Sequence, residues 1–269
     1  NTSFMSEVEL KRQNQSILDF LSSLGDENAL RNLYTDAYTC LTIMRSLPEL
    51  AKQYVLRMLN IQKIEIQQLN SWHCGDVKST KAHDRSLSRL ISLNILEKNQ
   101  AEGCFEINQV FQESLYNALY NRVPSLADSN LGPDKHMPTL QELDNYAATH
   151  WEAILHYMVG ASVNVPDEKV QQRLVMMKVM EWKRQGGLGI TTTGFRFLFL
   201  DISRQVWTIV KAYLDQPEDS GVNRDEVLQF FFRLSFLQLG QDYPAKALTI
   251  TQRGLLQDLA KFGLVWQGE

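Results

Sequence analysis

Cysteine is scarce in this 269-residue chain: Cys40, Cys74 and Cys104 are widely spaced and form no CxxC pair. That count argues against a disulfide framework or a structural zinc site and fits a reducing compartment. Glycine and proline are also few, at 14 and 7, which leans toward helices. No excess of positive charge exists. Lys and Arg total 27 against 31 Asp and Glu, a formal net charge of -4, so no global field holds nucleic acid by its phosphates. Long apolar runs are missing too: none approaches the roughly 20 residues that span a bilayer, and no signal peptide opens the chain. A soluble, intracellular protein is expected. Because the sequence opens at Asn1 rather than Met and stops inside a recurring pattern, it also reads as part of a longer chain.

What is present is a folded composition, 44% hydrophobic and 22% charged, with helical periodicity through most of its length. From Ser16 to Leu59 the apolar spacing predicts four short helices, the first ended by Gly25 and the last opened by Pro48. A helix over Lys63 to Leu69 follows, then one from Thr80 to Asn94. Two extended pieces, Ile95 to Lys98 and Cys104 to Ile107, flank a loop with Gly103 and predict a β-hairpin, closed by a helix from Gln109 to Tyr120. Helices followed by a hairpin wing define a winged-helix order. Pro124, Gly132, Pro133 and Pro138 mark a linker.

Beyond the linker, helices are predicted over Leu140 to Val159, from Pro166 to Trp182, and from Thr193 to Leu214, with a short strand Leu188 to Ile190 among Gly186, Gly187 and Gly189. Pro217, Asp219, Ser220 and Gly221 make a second junction. A very apolar helix, Asp225 to Leu239, then a helix capped by Thr251 and a wing strand Leu264 to Trp266 complete the reading. The fold expected is mainly α, built of tandem winged-helix-like domains with small β-hairpin wings. Its parts are 1–123, a linker at 124–138, 139–217, and 222–269, the last cut off at its wing.

No catalytic pattern emerges. HExxH, GxSxG and a phosphate-loop GK[ST] are all absent, the glycines at 186, 187 and 189 read as a turn, and the acids lie scattered on polar helix faces. His150 and His156, six residues apart, fall on opposite sides of a helix at about 100° per residue, and read as structural. His73 and Cys74 with Cys40 or Cys104 are the remaining metal candidates, against the plainer reading of buried thiols. No catalytic residue, cofactor or metal site is therefore assigned.

The strongest local signal is basic. Lys78, Lys81, Arg85 and Arg89, opposed only by Asp84, fall along the candidate recognition helix and its approach, at spacings able to present one positive stripe. They are the candidate contacts, to DNA phosphates or to an acidic partner protein, beside the plain reading of a solvated face. Lys178, Lys183 and Arg184 are a second cluster placed at a helix end, where cations meet the dipole. Phe230 to Phe232, with Trp151, Trp182, Trp207 and Trp266, offer large apolar surface expected to form internal core, with packing between units or against other chains as the alternative.

Several long blocks carry a resemblance: Thr39 to Arg45 followed by Leu47-Pro48-Glu49-Leu50-Ala51-Lys52 and on to Leu59, His150-Trp151-Glu152-Ala153-Ile154-Leu155-His156 to Val159, Gly194-Phe195-Arg196-Phe197-Leu198 on to Trp207, and Leu228 to Gly240. From about Asp19 onward the sequence resembles the family of the fourth core subunit of TFIIH, the general transcription and DNA-repair factor. The resemblance implies a nuclear, non-catalytic scaffold that helps anchor the XPB translocase and stimulates its ATPase, in promoter opening and nucleotide excision repair. It places the XPB contact mainly beyond this chain, and suggests other core subunits, including the one with a von Willebrand A domain, as partners of these units. The competing reading is a DNA-binding winged-helix protein that uses the basic helix. A hydrolase would need a convergent polar constellation that is not found.

Overall fold

A computed structural model describes residues 17–24, 27–120, 138–161, 165–184, 186–215, 223–240, 243–245 and 248–267. The chain divides into two compact units, Asn1–Pro124 and Ser125–Glu269. Both are mainly helical. The expected stop at Gly25 and the glycine and proline positions of both junctions, apart from Pro138, lie outside the described residues.

The first unit opens with α1 (Ile17–Ser23), α2 (Glu27–Leu33), α3 (Ala37–Ser46) and α4 (Glu49–Met58), the four short helices expected. Each buries one apolar stripe: Leu21, Leu33, Cys40, Ile43, Ala51, Tyr54 and Met58 are all essentially removed from solvent. Full burial of such a side chain contributes about 1.5–3 kcal/mol, so these stripes, rather than helix propensity, hold the helices. Asp36 starts α3 by accepting from the Thr39 amide and hydroxyl, both at 2.9 Å.

Next come β1 (Lys63–Glu65), α5 (Ile66–Asn70), α6 (Val77–Ser92), β2 (Leu96–Asn99), β3 (Cys104–Ile107) and α7 (Gln109–Leu119). The three strands form an antiparallel sheet in the order β1-β3-β2, with Ile64 opposite Phe105 and Leu96 opposite Ile107. The helix expected over Lys63 to Leu69 thus begins as a strand. Its first residues alternate exposed, buried, exposed and gain ladder hydrogen bonds from β3. Gln112 on α7 is buried and its amide donates to the carbonyls of Met58, Leu59 and Ile61 at 2.9, 3.0 and 3.3 Å, satisfying groups at the open end of α4.

The second unit contains α8 (Leu140–Met158), α9 (Glu168–Met176), β4 (Met180–Trp182), β5 (Leu188–Ile190), α10 (Thr192–Leu198), α11 (Ile202–Leu214), α12 (Arg224–Leu234) and α13 (Ile250–Lys261). Strands β4 and β5 pair antiparallel, joined through Gly186 and Gly187, whose φ values of 90° and 81° are the turn use expected of them. Several boundaries differ from expectation. The helix from Pro166 stops at Met176, because Lys178 adopts φ 58° and the chain then enters β4. The long helix from Thr193 is two helices, since Asp201 caps α11 through the Arg204 amide at 3.0 Å. The phenylalanine-rich helix ends at Leu234, five residues early, where Ser235 caps it. Thr249, not Thr251, caps α13 in a capping box with Gln252. Leu264 to Trp266 forms no strand, as no second strand lies beside it among the described residues.

One local device ends α6, α9 and α13, and α8 as well, where Gly160 has φ 76° and the Ala161 amide returns to the His156 carbonyl at 2.9 Å. After α6 the chain passes through Asn94 at φ 52°, and the Ile95 amide returns to the Leu90 carbonyl at 3.0 Å. After α9 it passes through Lys178, with Val179 returning to Leu174 at 3.1 Å; after α13, through Gly263 at φ 75°, with Leu264 returning to Leu259 at 2.9 Å. A left-handed residue followed by this six-to-one bond is a Schellman stop. In the first two cases a hairpin follows, and the residue after it, Asn108 or Thr191, donates its amide to Ile95 or Val179 and caps the next helix. The same sequence of helix, left-handed stop, strand, strand and capped helix therefore occurs once in each unit.

Candidate interaction surface

Helix α6 owes its start to Asp76, whose carboxylate accepts from the amides of Lys78 and Ser79 at 3.1 and 3.3 Å. Those bonds hold the Asp76 carboxyl below the usual aspartate range, the Ser79 contacts acting most strongly. The helix buries His83, Ser86 and Leu90, which turns Lys78, Lys81 and Arg85 outward. At about 100° per residue these three cations span an arc of about 60°. None makes an ion pair among the described residues. Arg89 stands on the edge of the same arc but is half-buried, and its guanidinium reaches Asp19 of α1 at 2.7 Å. The predicted stripe is therefore brought together on one helix, with its last member engaged as a brace to α1. Val77, 74% exposed, adds an apolar side chain at the N-terminal end.

Beneath that face lies a polar anchor that motif reasoning missed. The Tyr54 hydroxyl and His83 Nδ1 are 2.7 Å apart, and His83 Nε2 lies 3.2 Å from Asn70 Oδ1. Neutral His83 with its proton on Nε2 satisfies both, accepting from Tyr54 and donating to Asn70. His73 stacks on His83 with centroids 4.4 Å apart, and Arg57 lies over the Trp72 ring at 4.9 Å. Burial, then the neighbouring His73, pushes the His83 pKa down, with Asp84 opposing. Only its apolar surroundings at helical spacing signalled that His83 turns inward.

The metal candidates from sequence do not converge. Cys40 is buried with its thiol donating to the Tyr34 carbonyl at 3.3 Å, Cys74 is exposed, and His73 stacks on His83. Among the described residues the one group of three closely placed ligand types is Glu102, Cys104 and Glu106. The Lys63 ammonium already sits there, 2.8 Å from Glu102 and 3.2 Å from Glu106, and the two carboxylates raise its pKa to about 12. Burial and the same carboxylates push the Cys104 thiol up, away from the thiolate a metal needs. Of the other histidines, His150 is half-buried with Nδ1 2.9 Å from the Tyr146 carbonyl and His156 is exposed, while His136 lies outside the described residues.

In the second unit Lys183 and Arg184 lie beside the β4–β5 turn and Lys178 follows α9, so this cluster is not the helix end expected of it. Phe230 and Phe232 are buried, as expected of core, and Phe231 is half-buried 6.4 Å from Tyr213. Trp151 is half-buried, its indole donating to Gln205 at 3.1 Å, and Trp207 is half-buried too. Trp182 is instead 63% exposed, at the last position of β4 beside the β4–β5 turn. Phe199 and Ile202 are exposed as well. Among the described residues the most buried carboxylate is Asp258, which accepts from Arg173 Nε at 2.9 Å, Arg173 Nη2 at 2.8 Å and the Tyr213 hydroxyl at 3.0 Å.

The described residues thus form a mainly helical chain with small antiparallel strands and an exposed basic helix. Its sequence matches the family model Transcription factor Tfb2 over residues 19–269, and the chain belongs to that family. It is 36% identical over 261 residues to the general transcription and DNA repair factor IIH subunit TFB2 of Yarrowia lipolytica, covering 94% of this chain and 54% of that protein. The subunit of the same name from Saccharomyces cerevisiae is 35% identical over 270 residues, covering 98% and 51%. General transcription factor IIH subunit 4 of Dictyostelium discoideum is 30% identical over 288 residues, covering 93% and 58%. The chain thus spans about half the length of these curated relatives.

Proposed function

We propose that this chain acts as a scaffold and regulatory subunit of TFIIH, without an active site of its own, in transcription initiation and nucleotide excision repair in the nucleus. The observation that carries the reading is the identity with TFIIH subunits across 93–98% of the chain. Its parts are read as tandem winged-helix-like units at 1–123, 139–217 and 222–269. The helix stop and hairpin that recur after α6 and α9 support the first two of these units. In this role the subunit helps anchor the XPB translocase and stimulates its ATPase. Contacts that favour the productive arrangement of the motor raise turnover only by their differential affinity for that state. Other core subunits, including the one with a von Willebrand A domain, are the partners these units would meet.

The test is the DNA-stimulated ATPase rate of purified XPB with this chain, without it, and with a version extended to the length of the relatives. A rise with the extended version only makes these units a docking arm, a rise with the chain alone makes them direct effectors, and no rise with either removes the ATPase role.

A further inference from the structure

We propose that the outward face of α6 formed by Lys78, Lys81 and Arg85 is a docking surface for an acidic segment of a partner protein. The inference rests on the scaffold reading and names the chemistry of one contact within it. Two observations set these cations apart. They lie within one exposed arc, and they have no counter-charge among the described residues, whereas Lys52, Lys63 and Arg89 are paired with Glu49, Glu102 and Asp19. Spacing i, i+3, i+7 extends over about 10 Å of helix and matches carboxylates at the same spacing on a partner helix. Val77 at the end of the row supplies an apolar edge for that segment.

The surroundings decide between an acidic protein and a nucleic-acid duplex. The β2–β3 hairpin that follows α6 exposes Glu97 and Glu102 and holds Glu106, with Lys63 already shared between the last two. Asp84 is exposed on α6 itself. A duplex is a broad surface with a charge every 1.7 Å or so, and it would bring phosphates against these acids. A single acidic segment is narrow enough to lie along the cations alone. The chain's net charge of -4 adds no wider attraction for a polyanion.

The experiment places the photo-cross-linking residue p-benzoylphenylalanine at Lys81 in the full chain, assembles it with the TFIIH core subunits and duplex DNA, irradiates, and maps the adduct by mass spectrometry. The result expected is an adduct on an acidic segment of one subunit. The Lys78→Glu, Lys81→Glu, Arg85→Glu variant then retains that subunit about tenfold less well, the effect of losing three exposed ion pairs. Reversing the mapped acids to lysine restores binding. An adduct on DNA, an adduct on a segment without net negative charge, or no adduct in an otherwise assembled complex overturns the proposal and leaves the scaffold reading standing. Failure of the chain to assemble with any TFIIH subunit overturns both. Thermal unfolding controls the fold of the triple variant, and Lys81→Glu alone, expected to weaken binding about twofold, repeats the test with one exposed change.

Discussion

Asp258 is 5% exposed, and a carboxylate so placed is tolerated because its Oδ2 gathers three donors. Arg173 supplies two donors and Tyr213 a third, while the Arg173 guanidinium also lies 4.6 Å from the centre of the Tyr213 ring. This one side chain joins α9, α11 and α13. Removing one partner of a buried ion pair costs about 3–5 kcal/mol, because the other charge is left unpaired. Asp258→Leu is therefore expected to lower the unfolding free energy of the second unit in urea titration by that amount, and Arg173→Met with Asp258→Leu to recover part of it. If the double variant is no better than the single, the loss comes from packing and not from the stranded guanidinium. His83 makes a different prediction, set by pH. Its folded pKa is depressed by burial, so the unfolded chain takes up its proton first, near pH 6.5. Stability is then full above that pH and falls as pH drops from about 6.5 toward the lower folded value. The groups facing it are Tyr54, Asn70 and the His73 ring, with Asp84 beside it on α6. His83→Gln should be less stable than wild type at pH 8, and the gap should narrow between pH 7 and 5. A gap in thermal midpoint that stays constant over that range would mean His83 is not held neutral.

At the scale of elements, the helix–hairpin junctions are the places with least freedom. Gly194 lies in the first turn of α10, and a Cβ built there collides with the backbone carbonyl of Val179, the residue that leads into β4. Backbone cannot yield as a side-chain tip can. Gly194→Ala is expected to cost about 2–3 kcal/mol, an overpacking cost without relief. Gly187→Ala, which meets open space but must hold φ 81°, should cost only about 1 kcal/mol. Equal losses in chemical unfolding would show that the α10 junction shifts to make room. These junctions also explain what sequence could and could not reveal. Amphipathic spacing exposes a helix but not its end when the next element is apolar in phase, as Met177 and Met180 are across the Lys178 stop. Strand β1 has three residues, too few for alternation to register. The Thr249 cap was legible, since Gln252 stands three residues on, whereas Thr251 has no such partner. The basic stripe was legible because it is local to one helix. The engagement of Arg89 was not, for Asp19 lies on another helix far upstream, and only tertiary packing joins them.

The whole chain repeats one solution with different anchors. The helix before each hairpin carries an arginine one residue before the leucine that accepts the Schellman bond. Arg89 precedes Leu90 and pairs with Asp19, and Arg173 precedes Leu174 and pairs with Asp258. In both units this arginine braces the helix against another element of its own unit, which leaves positions nearer the helix start to face outward. On α6 those positions are cationic. On α9 the start carries two acids and one lysine, Asp167 being held by Lys261 at 2.8 Å, so the two helices are not interchangeable surfaces. The cores are likewise anchored separately: Gln112 satisfies the end of α4 in the first unit, and Asp258 ties three helices in the second. Gln112→Leu removes the side-chain donor shared by the Met58, Leu59 and Ile61 carbonyls and should cost about 1–3 kcal/mol. The two sites share no bonding partner, so the costs of Gln112→Leu and Asp258→Leu should add to within about 0.5 kcal/mol. Calorimetry of the two single variants and the double variant checks this. A double variant that loses much more or much less than the sum would show that the two anchors are energetically coupled.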